Sequence, residues 1–150
     1  MKTIDISVKA VSQKSAYQLF EDKWLGKKVD YDWSFGYQCF DLARQWLEQI
    51  WREQFGSTGS LGARILWIYP SKYSTIPFIK NALGNSPKQG DIVIWDMFTY
   101  GHIAICKKSD NNLFTVIEQN WATGKWSWLG DDAIRLKQYD YNKVLWRFSI

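Results

Sequence analysis

The chain has 150 residues, 46% hydrophobic and 23% charged, which suits one globular domain with its own core and excludes disordered, collagen-like and coiled-coil chains. Two cysteines exclude a disulfide scaffold, and apolar runs such as Ile92-Val93-Ile94-Trp95 fall far short of the ~20 residues a membrane-spanning helix needs. The net charge of +4 is spread over scattered pairs such as Lys27-Lys28 and Lys107-Lys108, without the basic block that nucleic-acid binding uses, so neither nucleic acid nor membrane is an expected partner.

Residues 1–9 hold no apolar stretch of the signal-peptide kind. The expectation is a protein made in the cytoplasm, or released by a route other than general secretion. Residues 15–24 read as a short amphipathic helix, with Ala16, Leu19, Phe20 and Trp24 at helical spacing and Gly26 as a stop. A polar loop follows over 27–38. Residues 39–54 predict a stronger helix, with Leu42, Ala43, Trp46, Leu47, Ile50 and Trp51 on one face and a flexible loop at 56–60 after it. Residues 63–82 fit no single element, because Pro70 and Pro77 interrupt them. From 89 onward the pattern is that of strands: 91–96, 102–106, 113–120, 133–138 and 143–148, with a hairpin turn at Asn111-Asn112. Helices first and antiparallel strands after predict an α+β fold in one domain over 1–150, the N-terminal helices packed on a C-terminal antiparallel sheet or half-barrel.

His102 is the only histidine, so any histidine-based mechanism must use it. A lone histidine opening an apolar strand is equally at home as a packing residue. Of the two cysteines, Cys39 sits in the first turn of the long helix, where the unpaired N–H groups and the dipole favour an anion. Cys106 lies in an apolar strand, where a small buried thiol is inert. It is also about 13 Å along the strand from His102, too far to pair with it directly. Cys39 is therefore the nucleophile candidate. Glu118 and Asn120, two apart at the end of an apolar strand, project to one face with Phe114 and Val116. A covered carboxylate there needs a partner, and an imidazole N–H is a suitable one. Thiol, imidazole and carboxylate would then act as nucleophile, base and orienting group. The competing reading is a strand-end pair facing solvent.

The loop Asp30-x-Asp32-x-Ser34-x-Gly36, with Asp41 following, has its oxygens at positions 1, 3, 5, 7 and 12 of an EF-hand loop. It departs from that loop in carrying Phe35 where glycine is usual and Asp41 where glutamate is usual. The spacing fits a calcium loop and, equally, an Asx-rich turn that caps the helix. No zinc spacing, phosphate loop, dinucleotide fingerprint or serine elbow occurs.

The string from Asp30 through Gln38-Cys39-Phe40-Asp41 to Ala43 resembles the nucleophile motif of the CHAP family, the cysteine, histidine-dependent amidohydrolases/peptidases common in phage endolysins. Gly90-Asp91 through Gly101-His102 looks like that family's histidine motif, and Val116-Ile117-Glu118-Gln119-Asn120-Trp121 like its third motif, all in the family's order. The resemblance spans about residues 15 to 148 and implies a papain-like fold. It makes Cys39 the nucleophile, His102 the general base, Glu118 the group orienting the imidazole and Asn120 a further polar member. Gln38 is similar to the oxyanion-hole glutamine of papain-type enzymes. Some members bind a structural Ca2+ before the cysteine; the matching positions are Asp30, Asp32 and Asp41 by side chain, and Ser34 and Gly36 by carbonyl. The implied partner is bacterial peptidoglycan, cut at an amide bond of its peptide part by an endopeptidase. An N-acetylmuramoyl-L-alanine amidase would use the same machinery. A non-catalytic, calcium-dependent wall-binding module, stacking on its many tryptophans, is the rival from another class. The expected chain is a monomer made in the host bacterium that acts on the wall after release, either a single-domain enzyme or the catalytic part of a longer lysin.

Overall fold

The computed structural model describes residues 14–50, 55, 56, 58, 61–82, 84–96, 99–121, 132–142 and 144–149. In chain order these form α1 (Ala16–Trp24), α2 (Cys39–Gln49), α3 (Arg64–Ile68), α4 (Pro70–Tyr73), β1 (Phe78–Lys80), β2 (Ile92–Trp95), β3 (His102–Ser109), β4 (Leu113–Glu118), β5 (Arg135–Asp140) and β6 (Val144–Phe148). The strands make one six-stranded sheet in the order β1-β6-β2-β3-β4-β5, and every pairing is antiparallel. Among the described residues no helix is long and apolar enough to cross a membrane.

Local chemistry sets the helix ends. Ser15 caps α1, its Oγ accepting from the Gln18 N–H at 3.1 Å. Gly26, at φ +78°, turns the chain out of that helix. At the start of α2 the Asp41 carboxylate accepts from the N–H of Gln38 at 2.8 Å and of Tyr31 at 3.1 Å, tying the preceding loop to the first turn. The helix ends at Gln49, short of the expected 54. The last part of that expectation, with Trp51, lies outside the described residues, as do positions 57, 59 and 60 of the following loop, residues 1–13 and position 143.

The interrupted segment 63–82 resolves into two short helices and an edge strand. Pro70 opens α4, where its missing N–H costs no bond. Three-residue β1 follows Pro77 and pairs with β6; it is too short to show alternation in sequence. β4 stops at Glu118 rather than at Asn120, because Asn120 takes a left-handed backbone, φ +60°. That turn removes the strand period that would have put Glu118 and Asn120 on one face.

Alternation along the strands builds two apolar layers. Ile92, Ile94, Ile103, Ile105 and Ile117 pack with Phe20, Leu42, Trp46 and Leu47 of the helices. Val93, Trp95, Ala104, Cys106, Phe114 and Val116 form a second cluster with Tyr139, Tyr141 and Val144. His102 and Glu118 share the parity of this second set. The turn into β3 depends on Gly101, at φ +69°: a Cβ there would lie 2.9 Å from the Trp95 carbonyl oxygen and 3.0 Å from the Arg64 nitrogen, both backbone atoms that cannot swing aside. Gly101→Ala should therefore lose about 2 kcal/mol of stability from backbone strain alone, read as a lower urea midpoint.

Candidate active site

Cys39 opens α2, His102 opens β3 and Glu118 closes β4, so the three side chains come from ends of elements held by different parts of the core. His102 and Glu118 are both 0% exposed, and Cys39 is 6% exposed. Their order in the sheet explains the encounter. The β3–β4 register sets Ile105 against Ile117. Extended by one residue, it places Glu118 beside Ala104, two residues from His102 and on its face. His102 Nε2 lies 2.9 Å from Glu118 Oε2. An ionised carboxylate only accepts, so Nε2 carries the proton and neutral imidazole keeps its lone pair on Nδ1. Nδ1 is buried with no nitrogen or oxygen partner, and the Cys39 thiol interacts with the ring.

Burial pulls the imidazole's pKa down, but its hydrogen bonds and charge interactions with Cys39 and Glu118 outweigh this and push it up to about 9. Burial acts on Glu118 in the raising direction and is outweighed by His102, the Tyr139 hydroxyl and the Arg135 charge, so the carboxyl titrates below its ordinary value. The arrangement can hold a thiolate beside an imidazolium and pass one proton between Nδ1 and a neighbouring atom.

Four aromatic and polar side chains, with no role expected of them, surround the pair. Trp121 stacks on the His102 ring at 4.6 Å between centroids, and Trp95 lies at 5.4 Å. From β5, Arg135 Nε and Nη2 reach Glu118 Oε1 at 3.0 and 2.9 Å, and the Tyr139 hydroxyl lies 3.0 and 2.9 Å from Oε1 and Oε2. Tyr139 lies beyond the strand expected at 133–138, and the place of both residues beside Glu118 required the β4–β5 pairing, which sets Arg135 directly against it.

Gln38 and Asn120 meet each other: Asn120 Nδ2 donates to Gln38 Oε1 at 2.7 Å, and Gln38 Nε2 donates to the Phe35 carbonyl at 2.5 Å. Between Glu118 and Asn120, Gln119 does work that the sequence reading missed. Its amide accepts from the Val29 N–H at 2.8 Å and donates to the carbonyls of Val29 and Gln38, both at 2.7 Å. It thereby stitches the loop before Cys39 to the end of β4. Cys106 is fully buried and, like Cys39, forms no disulfide.

The carboxylates of Asp30, Asp32 and Asp41 converge, each offering an oxygen within 4.8 Å of the others. Oxygens around one calcium ion at about 2.4 Å are at most about 4.8 Å apart. Asp30 Oδ1 is buried without a hydrogen-bond donor. Burial raises the Asp41 carboxyl to about 7, the charges of Asp32 and Asp30 adding to this and backbone donors opposing it. An orphaned acceptor among crowded carboxylates fits a divalent cation. Asp41 also accepts from the N–H of the N-cap residue Gln38, which is the helix-capping role expected of this loop. Asp32 is shared with Arg44 Nη1 at 3.0 Å and with the Ser34 N–H at 3.0 Å. Ser34 and Gly36 lie on the same loop, which turns through positive φ at Trp33, Phe35 and Gly36.

Removing the Gln119 amide takes from the Val29 N–H and carbonyl the partner it supplies, and leaves the Gln38 carbonyl with the Asp41 N–H alone of its two donors. Gln119→Ala should lose about 3 kcal/mol and speed labelling of the Cys39 thiol by a small alkylating reagent, with denaturant melting and mass spectrometry as the checks.

Comparison with known proteins bears on the fold and the family. The solved endolysin LysIME-EF1 superposes with a TM-score of 0.66 at 21% identity, over 88% of this chain and 61% of that one. Ly7917, solved with the hydrolyzing product of MDP, gives 0.60 at 15% identity over 89% and 61%. These neighbours share the fold, a papain-like α+β arrangement of helices on an antiparallel sheet. Endolysin PlyTW of Staphylococcus phage Twort (strain DSM 17442 / HER 48) is 37% identical over 100 residues, 62% of this chain but 21% of that protein. The chain thus spans about a fifth of that relative's length and about three-fifths of the solved chains. The model of the CHAP domain family matches residues 28–120, more than half of the 150, and includes the cysteine, the histidine and the carboxylate described above: the chain belongs to the CHAP domain family.

Proposed function

We propose that this chain is a peptidoglycan hydrolase of the endolysin type, cutting an amide bond in the peptide part of the bacterial wall as an endopeptidase. The observation that carries the reading is the buried His102–Glu118 hydrogen bond of 2.9 Å, with the Cys39 thiol interacting with the same ring. Cys39 is the nucleophile. Its thiolate attacks the amide carbonyl carbon, and the developing oxyanion is met by N–H groups at the start of α2, with the Gln38 side chain beside them. Asn120 holds Gln38 in place through its Oε1. The His102 imidazolium gives its Nδ1 proton to the leaving amine, the C–N bond breaks, and a thioester remains on Cys39. Water then adds to the thioester while His102 Nδ1 takes its proton; the acid leaves and the thiolate is restored. Glu118 stays ionised and keeps the proton on Nε2.

Asp30, Asp32 and Asp41, with the carbonyls of Ser34 and Gly36, would hold a calcium ion. When bound it would neutralise the carboxylates and stiffen the loop that leads into Cys39. The reading extends to where the chain acts: on the wall of the host that made it, as a monomeric catalytic unit of a longer lysin.

Purified walls incubated with the protein should lose turbidity and release new amines. Cys39→Ala should reduce this by at least about a thousandfold, the scale of removing a nucleophile, while Cys106→Ala keeps wild-type activity. Full lysis by Cys39→Ala, or loss in a folded Cys106→Ala protein, overturns the assignment. Mass spectrometry of the fragments separates a peptide cut from one at the sugar–alanine bond. Activity should fall as pH rises through about 9, where His102 loses the proton it must donate. Millimolar calcium should raise the melting temperature and EGTA reverse it; an unchanged Tm retires the metal site.

A further inference from the structure

We infer that Arg135 and Tyr139 are positioning residues for the reacting pair: from β5 they keep Glu118 ionised with Oε2 turned toward His102, and Arg135 also anchors the tryptophan that lies on the imidazole. The inference rests on the Cys39–His102 reading above and adds two residues to it. Glu118 is fully buried, and a buried carboxylate without donors takes a proton instead of keeping its charge. Here its two oxygens are divided. Oε1 receives Nε and Nη2 of Arg135 together, and Oε2 receives His102 Nε2. The Tyr139 hydroxyl sits between them, 3.0 Å from one oxygen and 2.9 Å from the other. Both guanidinium nitrogens meet the one oxygen, so Arg135 holds the charge at Oε1 and leaves Oε2 to His102 and Tyr139. Arg135 Nη2 also donates to the Trp121 carbonyl at 2.8 Å, so one guanidinium ties Glu118 to the residue stacked on His102.

The consequence is a choice of tautomer. An ionised Glu118 can only accept, and holds the proton on Nε2. A protonated Glu118 can donate its own O–H to Nε2. The ring proton then moves to Nδ1, and Nδ1 can no longer act as a base toward Cys39. The charged and titratable groups facing Glu118 among the described residues are His102 from β3 and Arg135 and Tyr139 from β5, while Cys39 of α2 interacts with it through the ring. Burial, the charge of Glu118 and its hydrogen bond keep the Tyr139 phenol protonated, so it remains a donor.

Because His102 is the only histidine, a protein labelled with 15N-histidine gives one imidazole signal. Wild type should show Nε2–H as the neutral form. Arg135→Gln should populate Nδ1–H as well. It should also lower kcat about tenfold with KM within about twofold, and move the acid limb of kcat/KM up by about one pH unit. Arg135→Lys should restore the acid limb but only part of kcat. Tyr139→Phe, which keeps the ring's packing, should move tautomer and limb the same way by less, and decides the matter if Arg135→Gln does not fold. Wild-type tautomer and pH profile in the folded variants, with loss confined to Tm, overturns the inference. If wild type cuts no wall material, the hydrolase reading fails, while the imidazole spectra still decide the roles of Arg135 and Tyr139.

Discussion

A charge-bearing hydrogen bond between two side chains with no solvent exposure, His102 to Glu118, constrains everything around it. Taking an imidazolium and a carboxylate out of water costs several kcal/mol per ion before their attraction is counted. The pair persists because the surroundings supply what water would have supplied. Arg135 and Tyr139 donate to Glu118, and the faces of Trp95 and Trp121 enclose the ring. The cost of burial is met with directed polar partners, and these partners fix where the pair points.

The same linkage sets the pH range in which the pair holds the fold together. His102 is raised above its ordinary 6.5, so its contribution is complete below that pH and disappears as pH climbs through about 9. Glu118 is lowered from 4.5, so its contribution is present above that pH and is lost on acidification. Between 4.5 and 6.5 both are intact. Cys39 is placed by a separate device. Asp41 caps the helix that Cys39 opens, and Gln119 fastens the loop in front of it to β4. Thiol and imidazole thus belong to two rigid parts that meet at the ends of their elements.

Much of this was legible in the order of residues. The apolar runs of β2, β3 and β4 and the helical spacing of Leu42, Trp46 and Leu47 reflect burial, which local pattern records well. Cys39 at a helix start, one histidine and an acid at a strand end could be matched as types. The rest depended on pairing. Arg135 reads as an ordinary strand cation until the register sets it against Glu118. Asn120 was expected beside Glu118, but a left-handed backbone carried it to Gln38. Gln119 lay between two conspicuous residues, and its three hydrogen bonds to positions 29 and 38 leave no local trace. Contacts across 80 to 90 positions of sequence are a property of topology, not of pattern.

The central claim is that Glu118, acting through His102, governs the reactivity of Cys39. The direct measurement is the rate at which iodoacetamide alkylates Cys39 at pH 7 in the native protein and in Glu118→Gln, followed by mass spectrometry, with fully buried Cys106 as the internal report of unfolding. The account predicts labelling of Cys39 that slows about tenfold in the variant while Cys106 stays unlabelled in both, the order of effect of losing a group that stabilises the imidazolium. Equal rates in the two folded proteins would contradict it.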